Sequence, residues 1–119
     1  MNKKEKETGY PSPAQGYEDD SIDFNRILIK NPPATFIMRE AAGGMEWRGI
    51  MPGSFLVVDR SIKPVSGSVV VAANDGDFIC RVLEIKNNRM TFTDGVNTII
   101  PIEDDAAVFG TVRAVVTVL

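Results

Sequence analysis

Seven short segments rich in β-branched and aromatic residues, each closed off by turn-forming residues, commit this chain to a β architecture. They read ATFIMR, SFLVVD, SVVVAA, DFICRVLEI, RMTFT, NTIIPI and AAVFGTVRAVVTVL. The punctuation is Pro52-Gly53, Ser66-Gly67, Asp75-Gly76, Asn87-Asn88 and Asp94-Gly95, residue pairs that reverse a chain within a few residues. Strands joined so tightly pair mostly antiparallel, and a flat sheet would leave one apolar face wet. The expected fold is therefore mainly β, a mostly antiparallel sheet curled on itself. The chain carries no internal repeat.

At 119 residues, the chain has material for one core. Residues 1–20 mix Lys and Glu and then turn to Pro11, Pro13 and Gly16, so a flexible N-terminal arm is expected, followed by a single domain over 21–119. At the start of that domain, Ser21 is positioned to cap a short helix with Ile27 and Leu28 on its apolar side and Pro32 and Pro33 at its end.

Composition removes several classes of function. The net charge of −3 argues against a broad phosphate-binding surface, so direct nucleic-acid binding is not expected. With no histidine and a single cysteine, Cys80, the chain lacks the usual ligands of zinc and cannot build a histidine-based triad. No metal site and no cofactor are expected, and Glu103-Asp104-Asp105 reads as a solvated turn. The N-terminus lacks the apolar core of a secretion signal, no run is long enough for a membrane span, and a lone cysteine suits a reducing compartment. A cytoplasmic location follows as the expectation.

The sequence resembles the S24 peptidases, the LexA-type repressors and UmuD-type accessory proteins, in its UmuD branch. The resemblance runs from about Gly9 to Leu119 and is carried by GYPSPA (Gly9 to Ala14), IDFNRILI (Ile22 to Ile29), FLVVD (Phe55 to Asp59) and VFGTV (Val108 to Val112). It implies a LexA/UmuD-like β fold and a self-cleaving serine–lysine dyad. The serine belongs in a Gly-Asp-Ser-Met turn and attacks a peptide bond of the arm. The lysine, on the strand after the Asp-Gly turn, must be neutral to take its proton.

This chain departs from that pattern at both positions. Its turn reads Ala42-Gly43-Gly44-Met45, which puts Gly44 where the nucleophile stands, and Arg81 falls at the base position. Burial can bring a lysine from about 10.4 to about 7 or 8, a shift of about 4 kcal/mol. Keeping an arginine neutral near pH 7 costs about 8 kcal/mol from an intrinsic pKa near 13. The expectation is a pseudo-peptidase with no catalytic residue. Thr8-Gly9 takes the place of the bond that relatives cut, so the arm resembles an already shortened form, and RMTFTDGVNTIIP is about three residues shorter than the matching segment of relatives.

Replacement groups are weak candidates. Ser54, Ser61, Ser66 and Ser68 lie in or beside turns with no base in view, and Cys80 reads as a small packing residue. Arg81 interrupts the apolar row Ile79, Leu83 and Ile85, and is expected to snorkel at the cleft rim. If it has a carboxylate partner, Glu40, Glu46 and Asp77 are the candidates, with Asp77 favoured by strand alternation. Phe78 and Phe109 are candidates for a dimer interface, with plain core packing as the competing reading.

The resemblance further implies a homodimer that partners a Y-family translesion DNA polymerase in the SOS response, with the RecA filament as a second contact. The alternative is a repressor-like module that forms mixed dimers with full-length LexA relatives.

Overall fold

The computed structural model describes residues 22–74, 76–96, 99–102 and 107–119. Thr8-Gly9, the arm as a whole and Glu103-Asp104-Asp105 lie outside the described residues, as does the start of the domain at Ser21.

All seven expected segments form strands: β1 (Thr35–Arg39), β2 (Phe55–Asp59), β3 (Val69–Asn74), β4 (Asp77–Lys86), β5 (Arg89–Thr93), β6 (Ile99–Ile102) and β7 (Val108–Val116). They join in one sheet of order β1-β2-β7-β3-β4-β5-β6, and every neighbouring pair is antiparallel. This is a mainly β fold of the LexA/UmuD-like kind. Between β4 and β5, Asn87 and Asn88 have φ of 52° and 62°, two consecutive left-handed residues that match the twist of a tight hairpin.

The alternation along the strands gives the single sheet an apolar cluster on each face. Val71 of β3 and Cys80 of β4 pack with Met45, Ile50, Leu56 and Val58 on one side. Their neighbours in sequence, Val70 and Ala72 with Leu83, pack with Phe92 on the other.

Two irregularities in β7 redirect side chains. The register of β7 slips by one residue opposite Val57 and Val58, leaving Arg113 as the extra residue, and again opposite Val71 and Ala72, leaving Phe109. Such bulges turn a side chain out of the strict alternation. Arg113 uses its freedom to reach α1 (Phe24–Leu28), donating from Nε to Leu28 O at 3.0 Å and from Nη2 to Ile27 O at 3.2 Å. A cation on the last carbonyls is a favourable helix ending.

The helix itself corrects the sequence reading. Its cap is Asp23, whose carboxylate accepts from Asn25 N at 3.0 Å, and it ends at Ile29 in extended backbone, before the prolines. Pro32–Ala34 instead form a separate 3-10 turn, whose first positions tolerate a missing N–H. Phe24 and Ile27 are exposed, so the helix is held by its end carbonyls rather than by an apolar face.

Asp59 closes β2 and is buried. Its Oδ1 accepts from Ser61 Oγ at 2.6 Å and from Ser61 N at 2.8 Å, and these bonds hold its carboxyl below the usual range, with help from the charge of Arg113. A carboxyl depressed in the folded state stabilises the fold above its unfolded pKa, about 3.9, and that contribution is lost as pH falls through the lower, folded value. Urea unfolding midpoints measured from pH 6 down to pH 2 should therefore fall less steeply in Asp59→Asn than in the parent chain.

Candidate functional site

The connection between β1 and β2, residues 40–54, carries the turn that the sequence singles out. Pro52-Gly53 brings the chain back into β2, and Glu40 N donates to Ser54 O at 2.8 Å while Gly53 N donates to Glu40 O, which closes the base of the loop. Above that base the chain crosses to β4. Met45 is fully buried in the core, and this anchor sets the two glycines before it in place.

Gly43 and Gly44 both have positive φ, 77° and 100°. A serine forced into such backbone carries a strain of about 1–2 kcal/mol. Gly44 N donates to Glu46 Oε1 at 2.7 Å, so the turn is braced by the carboxylate of the 3-10 turn that follows, Glu46–Arg48.

Arg81 comes to this turn from the middle of β4. Its Nη1 donates to Gly43 O at 3.3 Å and to Cys80 O at 2.7 Å. A Cβ on Gly44 would lie 3.4 Å from both Nη atoms and 3.5 Å from Cζ, so the guanidinium occupies the ground directly in front of residue 44. The two positions that the sequence analysis pairs are thus in contact. The snorkelling expectation is corrected in one respect: the head turns inward to two backbone carbonyls, and its Nε is buried. Asp77, favoured by alternation, sits exposed at the start of the strand, while the head is held by carbonyls further along. Alternation fixes the face on which a side chain starts and leaves the direction of its far end open.

The other candidates have structural work. Ser54 Oγ pairs with Thr117 Oγ1 at 2.7 Å, Ser61 Oγ donates to Asp59, Ser66 Oγ accepts from Ile85 N at 3.0 Å and Ser68 Oγ accepts from Val65 N at 2.9 Å. Cys80 is buried in the core, and its thiol is pushed up to about 12, first by burial and then by the charge of Glu40, with Arg81 pulling the other way. Among the described residues, no group of three or more acidic or cysteine side chains is placed to hold a metal ion.

Two residues escaped the sequence reading in their roles. Glu40, considered there only as a partner for Arg81, is 3% exposed, with Oε1 accepting from Ala42 N at 3.3 Å and Oε2 unpartnered. Trp47 lies over the backbone of Gly95, leaving no room for a Cβ there, and the turn after β5 thereby meets the 3-10 turn Glu46–Arg48. Nothing in the spacing of either residue signals this contact. A separate cavity of about 310 Å³ lies among Arg60, Ile62, Lys63, Met90 and Val108, away from Gly44.

Phe78 and Phe109 meet edge to face with ring centroids 5.2 Å apart, and Phe36 meets Phe109 at 5.4 Å. Phe109 also packs against the core and carries Arg60 over its ring, whereas Phe78 is 54% exposed. Pure core packing therefore describes neither: Phe109 joins the core to an exposed aromatic row.

A thiol raised to about 12 holds roughly a thousandfold less thiolate near pH 8 than one at 9.0. Thiol-disulfide reagents should accordingly label native Cys80 at least about a hundredfold more slowly than the urea-unfolded chain, as followed by release of the reagent's chromophore.

Among the described residues, no helix is long and apolar enough to cross a membrane. Comparison with known proteins gives the family of the chain. The family model described as Peptidase S24-like matches residues 3–112. Protein SamA of Salmonella typhimurium is 33% identical over 108 residues, 89% of this chain and 76% of that protein. Protein ImpA of Escherichia coli is 39% identical over 80 residues, 67% of this chain but only 55% of its own length. The LexA repressor of Shewanella piezotolerans is 29% identical over 99 residues, 83% of this chain and 48% of that repressor. On this match over most of its length, and with the β sheet described above, the chain belongs to the S24 peptidase-like family.

Proposed function

We propose that this chain is a UmuD-like member of the family that performs no cleavage and works by binding, as the accessory or regulatory partner of a Y-family translesion DNA polymerase in the SOS response. The observation that carries the first half is the guanidinium lying against Gly44. Self-cleavage needs a nucleophile there and a neutral base beside it, and the pair present offers a hydrogen atom and a permanent cation. The second half rests on the resemblance of the sequence to the UmuD branch and on its relatedness to SamA and ImpA.

In this reading the active unit is a homodimer, and the exposed aromatic row of Phe36, Phe78 and Phe109 supplies apolar area for an interface. A second reading, mixed dimers with LexA-type repressors, is favoured by the similarity to the Shewanella repressor over 83% of this chain. Both readings place the activity in contacts rather than chemistry.

Incubation of the purified protein with RecA filaments on single-stranded DNA and nucleotide should leave its intact mass unchanged, with a cleavable relative as positive control. A specific cut within the arm refutes the silent reading. The Gly44→Ser, Arg81→Lys double variant should regain little or no cleavage, because the strained turn and the polar surroundings of Arg81 suit neither a serine nor a neutral lysine. Affinity capture from cells with damaged DNA separates the two readings: recovery of a Y-family polymerase supports the first, and recovery of LexA-type chains alone supports the second. Sedimentation should show Phe78→Ser weakening self-association by about tenfold or more, the scale of a truncated aromatic anchor; an unchanged dimer removes the aromatic row from the interface.

A further inference from the structure

Past the end of β2 the chain reads Arg60-Ser61-Ile62-Lys63-Pro64, with an apolar residue between two cations. In a chain of net charge −3 this is a local reversal of sign. The segment is pinned along its length: Arg60 N donates to Ala34 O at 2.9 Å, Ser61 N and Oγ both donate to the buried Asp59, and Thr111 Oγ1 of β7 donates to Ile62 O at 3.0 Å. It is a fixed wall rather than a loose loop.

Between this wall, β5 and β7 lies the cavity of about 310 Å³, a volume at the lower end of the range for small-ligand pockets, about 300–1,000 Å³. Ile62, Pro64, Met90, Val108 and Phe109 give it an apolar lining, and its charged lining residues, Arg60 and Lys63, are both positive.

The bulge in β7 sets Arg60 in place. Phe109, the residue released from the ladder, accepts from Arg60 Nε through its carbonyl at 2.9 Å and carries the guanidinium 4.4 Å over its ring. Gly110 leaves the space that the arginine stem crosses, since a Cβ there would stand 3.2 Å from Arg60 Cγ and 2.7 Å from Val58 Cγ1. With Nε committed and one face on the ring, the Nη end of the fork is what remains for a ligand. Among the described residues, no carboxylate takes that end or the Lys63 ammonium.

We propose that this cavity binds a small organic carboxylate with an apolar body, the body lying among Ile62, Met90 and Val108 and the carboxylate meeting Arg60 and Lys63. The planar fork of an arginine matches the two oxygens of a carboxylate, and a head already held by Phe109 loses little freedom on binding. The apolar lining gives a bare anion nothing to gain beyond the two charges. The site is separate from the turn at Gly44 and independent of which partner the protein binds.

The test titrates the intact protein with phenylpropionate and follows the methyl NMR signals of Ile62, Met90 and Val108. Phenylpropanol, the uncharged analogue, and acetate, the head without a body, are the references. The expected result is saturable shifts centred on those methyls, with a dissociation constant of about 5 mM or below. Phenylpropanol and acetate should each bind about tenfold more weakly or worse, the scale of losing a charge-assisted hydrogen bond or the apolar contact.

Arg60→Gln should weaken phenylpropionate about tenfold and leave phenylpropanol nearly unchanged. Should that variant fail to fold, Lys63→Gln replaces an exposed side chain and should weaken phenylpropionate about threefold with the same indifference to phenylpropanol. Shifts that do not saturate, shifts centred away from these methyls, equal affinity for acid and alcohol, or an affinity unmoved by loss of either cation overturn the proposal.

Discussion

Strand β7 pairs with β2 along one edge and with β3 along the other, and through those two ladders it joins β1–β2 to the β3–β6 meander. The two halves are far apart in sequence, since β2 ends at Asp59 and β7 begins at Val108. Closing so long a connection is costly in chain entropy, and the return comes from apolar burial on both faces of the sheet. The bulges in β7 are where the two halves are reconciled. Each releases one residue from the ladder, Arg113 to hold α1 and Phe109 to join the core to the aromatic row.

The cleft depends on that same union. Gly44 belongs to the connection between β1 and β2, while Arg81 belongs to β4, three places along the sheet from β2. Only when β7 has joined the halves does the loop meet the strand. What it meets is a cation in a wall of carbonyls, with Met45 beneath as an apolar anchor. A charge that cannot be neutralised serves well for holding backbone and poorly for taking a proton.

Hydroxyls that a sequence reader would screen as nucleophiles are spent on turns and strand ends, as with Ser61 on Asp59 and Ser54 on Thr117. Exposed apolar side chains are spread over the surface, at Phe36 and Phe78, along α1 at Phe24 and Ile27, and at Trp47 and Met51 of the 40–54 connection. Apolar side chains left in water around a well-packed sheet are the usual mark of surfaces that meet other chains.

What the sequence determined by itself was local. Seven strands followed from β-branched runs and turn pairs, because strand preference and turn chemistry act over a few residues, and Asn87-Asn88 turned where two left-handed residues were needed. The pairing of Gly44 with Arg81 was legible only through resemblance to the family's motif spacing. Alternation named the face of Arg81, but favoured Asp77 as its partner over the carbonyls that hold it. The cap at Asp23, the bulges at Phe109 and Arg113, the burial of Glu40 and the closure of Trp47 on Gly95 were decided by the tertiary structure. Each depends on segments brought together by β7 or on a choice between near-equal local options, and neither kind of information lies in the spacing of residues along the chain.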